Sequence, residues 1–199
     1  MLKENMTMYI EQLTKEHGHT IKLFEEQQRY AEMHHLLPES TTVSTMDSST
    51  RFESAYIERC DKETEELILI EAPSFLKESL THFDERRHEF MLLESTILRF
   101  IGVDALSIEI DDVFETYTAL FGLKMKKNHA EAITNYLNTH LQQEVGNFSI
   151  AFSDKDGLWD INFALNYIDG YTESLTIGEA AELAYQFIFN LVETVEETA

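Results

Sequence analysis

The amino-acid sequence predicts an α+β fold, mostly helical, with a C-terminal helix, β-hairpin, helix core and a helical N-terminal region. Three observations carry this. Large apolar residues alternate on both sides of an Asp156-Gly157 turn, the pattern of a hairpin with one apolar face. Asn128 with Glu131, and Thr176 with Glu179, have the spacing of helix N-terminal caps and precede apolar residues at helical intervals. From Pro73 to Gly102, eight apolar residues fall near one face of a helical wheel. The 199 residues suffice for a single domain that buries roughly 70% of its unfolded surface. It divides into an N-terminal helical arm (1–37), a Ser/Thr-rich loop (38–50) and a main α+β core (51–199).

In chain order, Leu2, Met6, Tyr9, Ile10 and Leu13 form a helical stripe that Gly18 interrupts. A second helix starts near Ile21, carries Phe24, Ala31 and Leu36, and stops at Pro38. Residues 38–50, "PESTTVSTMDSST", lack large apolar side chains and predict a mobile hinge loop. Residues 51–60 alternate imperfectly and predict a strand. "KETEELILIEA" fits either a strand or an acidic helix, and the helix is preferred. Pro73 suits a helix first turn, and Leu76, Leu80, Phe83, Phe90, Met91, Ile97, Leu98 and Ile101 predict a long helix ending at Gly102. Leu106, Ile108 and Ile110 predict a short strand, and Asp111 a cap for a helix through Phe121 to Gly122.

The last third is the most consistent. Ala130, Ile133, Leu137 and Leu141 line a helix running down to Gly146. Phe148, Ile150 and Phe152, then Trp159, Ile161, Phe163, Leu165 and Tyr167, give the hairpin its apolar face. A two-residue turn at Asp156-Gly157 and a four-residue loop from Asp154 to Gly157 keep the same side chains inward, so both registers remain open. A lone hairpin is marginal in water, so the flanking helices must cover it and bury Trp159. Ile177, Ala181, Ala184, Ile188, Leu191 and Val195 line the final helix. This order of elements resembles acidic chaperone-like folds that bind other proteins, an analogy of topology only.

The formal charge of −22 opposes nucleic acid and anionic membranes as partners, because phosphate binding relies on Lys and Arg. It suits a basic protein partner. The first residues lack a basic stretch followed by an apolar core, and no run of 18 apolar residues occurs, so a cytoplasmic location is expected. The single cysteine, Cys60, excludes an internal disulfide and a multi-thiolate zinc site.

The acidic hairpin turn fails as a calcium loop. With Gly157 at the sixth position, Phe152 and Phe163 occupy the first and twelfth, where an oxygen ligand and a bidentate glutamate are needed. Glu16/His19, Glu32/His35 and Glu85/His88 each have the Glu-x-x-His spacing that puts two metal ligands on one helix face. Glu32, His35, Glu85 and His88 are the metal-ligand candidates. Asp160, Asn162 and Asn166 should share the polar face of the second hairpin strand and could present a polar ligand site. No nucleophile elbow, P-loop or dinucleotide fingerprint is present, so no catalytic and no cofactor-binding residue is assigned.

The stretches "AYIERCDKETEEL", "APSFLKESL" and "FSDKDGLWDINFALNYIDGY" resemble a group of small acidic bacterial cytosolic proteins, some of them labelled branched-chain amino acid aminotransferase. The label implies pyridoxal phosphate, which requires a Schiff-base lysine and a phosphate cup. None of Lys124, Lys126, Lys127 and Lys155 stands in such a context, so no catalytic residue is carried over. The expected function is that of a non-catalytic interaction or regulatory module. The alternatives are an enzyme whose site the sequence does not display and a His/Glu metal-binding domain.

Overall fold

The structure is a computed structural model that describes residues 1–141 and 148–198. Its dominant element is an antiparallel seven-stranded sheet of β3 (Tyr56–Asp61), β4 (Leu67–Glu71), β5 (Glu89–Glu94), β6 (Val103–Ile110), β7 (Tyr117–Leu123), β8 (Phe148–Ser153) and β9 (Leu158–Ala164), in the order β4-β3-β5-β6-β7-β9-β8. The expectation of a mostly helical protein is therefore corrected: the described residues are 42% helix and 29% strand, and the large sheet organises them.

The helices are α1 (Leu2–His17), α2 (Glu25–Met33), α3 (His82–Glu85), α4 (Thr96–Phe100), α5 (Ala130–His140) and α6 (Ile177–Glu197). The main cover is α6, whose first turn carries the expected capping box, Thr176 Oγ1 accepting from Glu179 N–H and the Glu179 carboxylate accepting from Thr176 N–H. Phe187 of α6 stacks edge-on against Tyr136 of α5 and meets Phe163 of β9, centroids 5.4 and 4.8 Å apart. The elements α5, β8, β9 and α6 follow one another in the expected order, but the hairpin is one end of the seven-stranded sheet and not a separate core. Ser153 pairs with Leu158, which selects the four-residue loop Asp154–Gly157, with Gly157 at φ 68. Trp159 is buried against Phe152. Strand β9 ends at Ala164, so Leu165 and Tyr167 fall in a short 3-10 turn. Gly146, expected to end α5, lies outside the described residues.

Cross-strand register sorts the two faces of the sheet. Arg59, Met91, Ile108, Ala119, Phe163 and Phe148 form one continuous row on the helix-covered face. One residue further along, Glu58, Leu92, Ser107, Leu120, Asn162 and Ser149 form a row on the opposite face, where each residue is half-buried or exposed.

The central stretch departs most from expectation. The long helix predicted over 73–101 is instead a 3-10 turn (Pro73–Lys77), α3, β5 and α4. In β5, Glu89, Met91 and Leu93 are buried while Phe90, Leu92 and Glu94 are half-exposed, a period of two that helical spacing concealed. Likewise the helix expected from Asp111 to Phe121 is a hairpin turn plus β7. Asp111 still acts as a local cap, accepting from the N–H groups of Val113 and Phe114 at 2.8 Å each. "KETEELILIEA" is a turn and a strand, not an acidic helix: the Asp61 carboxylate accepts from the N–H groups of Glu63 and Thr64 and bends the chain into β4.

The N-terminal region is also less helical than expected. Ile21 lies in β1 (Thr20–Leu23), which pairs in parallel with β2 (Thr42–Thr45), inside the segment expected to be a mobile loop. Helix α1 buries Leu2, Met6 and Ile10 in the same apolar cluster as α6. Arg51, expected in a strand, is a buried tie between elements. Its guanidinium makes four hydrogen bonds to Glu26 of α2 and Glu182 of α6 at 2.6 to 3.1 Å, between the rings of Phe24 and Tyr185 at 3.9 and 4.2 Å.

Candidate functional site

Strand β4 closes one edge of the sheet and, among the described residues, pairs only with β3. Its sequence is Leu67-Ile68-Leu69-Ile70-Glu71, and the four aliphatic side chains are 50, 42, 48 and 54% exposed. Alternating side chains point to opposite faces of a strand, so exposure of all four means that neither face is covered. The helix layer ends before it reaches β4. Leu69 extends the covered row beyond Arg59, and Ile70 extends the open row beyond Glu58, yet both are half-exposed. Ile68 is the extra residue of a bulge, since Leu69 pairs with Arg59 and Leu67 with Cys60. Among the described residues no strand pairs with the outer side of β4, so its backbone N–H and C=O groups there form no ladder, the condition that natural edges usually avoid with charge or cover. Tyr56 of β3, 43% exposed, and the half-buried Leu92 and Leu120 continue the apolar surface on the open face.

Acidic groups ring this patch. Glu63, Glu65 and Glu66 precede the strand and Glu71 ends it, while Glu58 stands beside Ile70. Among the described residues, Glu58, Glu63, Glu65 and Glu66 form no ion pair. Glu71 does: Arg59 donates to it and to Glu89, at 2.7 Å each, and His82 Nε2 lies 3.4 Å from Glu89. Burial pushes the Glu89 carboxyl up, and Arg59 and His82 more than reverse this, leaving it below its ordinary value. The Cys60 thiol is raised by burial and by Glu58, the reverse of what a nucleophile needs.

The sequence-derived metal candidates are not brought together. Glu32 accepts from Gln28, Glu85 pairs with Arg86, His88 lies 3.6 Å from Glu89, and all four candidates, with His35, are exposed. A different group converges: His34, Glu193 and Glu197 offer ligand atoms within 4.8 Å of one another. Among the described residues His34 Nε2 has no hydrogen-bond partner; it lies 3.5 Å from Glu197 Oε1, while Arg29 already holds Glu193 at 2.5 Å. Sequence spacing missed this set because His34 follows α2 while Glu193 and Glu197 lie far along the chain on α6.

Asp160 and Asn162 lie on the open face of β9. Asn162 Oδ1 accepts from Ser149 N–H at 3.0 Å. Asn166 lies past the strand end, and its Oδ1 accepts from Tyr117 N–H at 2.7 Å, so it serves the backbone of β7. Of the turn aspartates, Asp154 is held by Lys127 Nζ at 2.7 Å and Asp156 by Ser153 Oγ at 2.8 Å.

A cavity of 780 Å³ is lined by Ser48, Phe52, Pro73, Leu76, Thr176 and Glu182, among others. Two of its polar groups serve the fold, Thr176 in the α6 cap and Glu182 on Arg51. Lys124, Lys126, Lys127 and Lys155 are all exposed, which does not fit the enclosed lysine of a pyridoxal phosphate site. No protein-family model, curated protein or solved structure matches the chain. Among the described residues, no helix is long and apolar enough to cross a membrane.

Proposed function

We propose that this protein is a non-catalytic interaction module that binds a basic protein partner through its uncovered sheet edge and the adjoining open face. One observation carries the reading: four consecutive aliphatic side chains stand exposed on an edge strand, next to Glu58, Glu63, Glu65 and Glu66, which form no ion pair among the described residues. Exposed apolar surface of this kind marks binding sites in soluble proteins. The net charge of −22 steers cationic partners toward it and repels anionic ones. The raised Cys60 thiol and the exposure of Lys124, Lys126, Lys127 and Lys155 support the non-catalytic assignment over the enzyme alternative.

The test is capture with the tagged protein, followed by reciprocal capture from the partner. A basic partner released when salt rises from about 50 mM to about 500 mM is expected, because screening shortens the Debye length several-fold. A partner retained unchanged at high salt and bound by the Leu67→Lys/Leu69→Lys variant as tightly as by the parent defeats the reading.

A second reading, metal binding, is favoured by the convergence of His34, Glu193 and Glu197. Calorimetric titration with Zn²⁺ or Mn²⁺ tests it. Saturable binding abolished by His34→Ala and by Glu197→Gln is the expected result; absence of saturable binding removes the reading.

A further inference from the structure

We propose that β4 is a receptor for an extended segment of another protein, which adds as an eighth strand and carries alternating apolar residues flanked by lysine or arginine. This rests on the protein-binding reading and specifies its mode. Strand addition supplies affinity through backbone hydrogen bonds and specificity through alternate side chains. Strand β4 meets both requirements: among the described residues no strand pairs with its outer backbone edge, and an incoming strand finds Leu69 on one face and Leu67 and Ile70 on the other.

Charge decides between occupants. At the start of β4 stand Glu63, Glu65 and Glu66, exposed and without a cation among the described residues, and at its end Glu71 holds Arg59. A second copy pairing antiparallel about the midpoint of Ile68 and Leu69 sets Glu66 opposite the other copy's Glu71 at both ends, between two molecules that each carry −22. Moving the centre to Leu69 relieves that opposition but sets Leu67 against Glu71 and leaves three residues in apolar register. Four half-exposed side chains also fall well short of the roughly 800 Å² per partner of a stable interface. A basic-flanked segment keeps the whole apolar overlap and places cations beside Glu63, Glu65 and Glu66, which lack one among the described residues.

The probe is a capped synthetic peptide of alternating valine and threonine with paired lysines at each end. Control peptides replace the lysines by glutamate, or the central valine by proline, which cannot donate to the ladder. Hydrogen exchange and amide chemical shifts are followed on the full chain. The expected result is slowed exchange at residues 67–71 with the lysine peptide alone. Affinity should fall at least tenfold in high salt and at least tenfold in the Leu67→Lys/Leu69→Lys variant, whose circular dichroism and melting temperature verify its fold. Protection confined to the open face around Leu92 and Leu120 overturns strand addition while leaving a protein-binding surface. Protection of β4 by self-association in peptide-free protein, with a doubled mass in sedimentation, replaces the proposed occupant by a second copy and overturns the proposal. A peptide that leaves every amide unchanged also overturns it, whereas failure of partner capture strikes the broader reading.

Discussion

At the scale of single residues, two buried charge clusters set the sharpest expectations. Arg51 is almost wholly buried between two aromatic rings and two carboxylates. Replacing it by methionine leaves Glu26 and Glu182 facing each other without a cation, and removal of one partner from such a cluster costs about 3–5 kcal/mol. Urea unfolding should show that loss for Arg51→Met, and recovery of much of it when Glu26→Leu and Glu182→Leu are added. The Glu89 carboxyl, in contact with Arg59 and His82, lies below its ordinary value of 4.5. A depressed folded pKa contributes stability that is present above the unfolded value and lost as pH falls through the folded one. Between about pH 5 and pH 3, the parent protein should therefore lose stability more steeply than Glu89→Gln. Parallel pH profiles would show that the contacts of Glu89 do not favour its charged form.

At the scale of elements, the contrast lies between α6 and β4. The α6 cap joins the Thr176 hydroxyl to the Glu179 backbone, so Thr176→Ala should lower stability by about 1 kcal/mol in thermal or urea unfolding. Strand β4 contributes little to the core. Leu69→Lys should change stability by no more than about 0.5 kcal/mol, whereas Leu93→Ala, at a fully buried position of β5, should cost about 2–5 kcal/mol. Equal losses at the two sites would mean that β4 is covered in solution.

At the scale of the whole molecule, charge sets both stability and association. With −22 distributed over 199 residues, the compact state repels itself, and salt relieves the repulsion. Raising NaCl from about 20 mM to about 300 mM should raise the melting temperature by a few degrees, since the Debye length falls from roughly 20 Å to below 10 Å. The same salt should weaken partner binding, so stability and binding are expected to move in opposite directions. Apolar interactions alone would not give that pairing.

How much was legible follows from how local each signal is. The Thr176 cap, the turn at Gly157 with its positive φ, and the alternation through Phe152 and Trp159 depend on neighbours within a few residues, and the sequence alone determined them. The stretch from Pro73 to Gly102 satisfies helical spacing yet folds as β5 between short helices, because Met91 and Leu93 pair with Ile108 and Leu106 on another strand. Arg51, His34 and Leu67–Ile70 were visible as residue types, but their burial or exposure was not. Only the tertiary structure decided which apolar rows the helices cover and where that cover stops, because coverage depends on pairing between distant segments and leaves no fixed period in the chain.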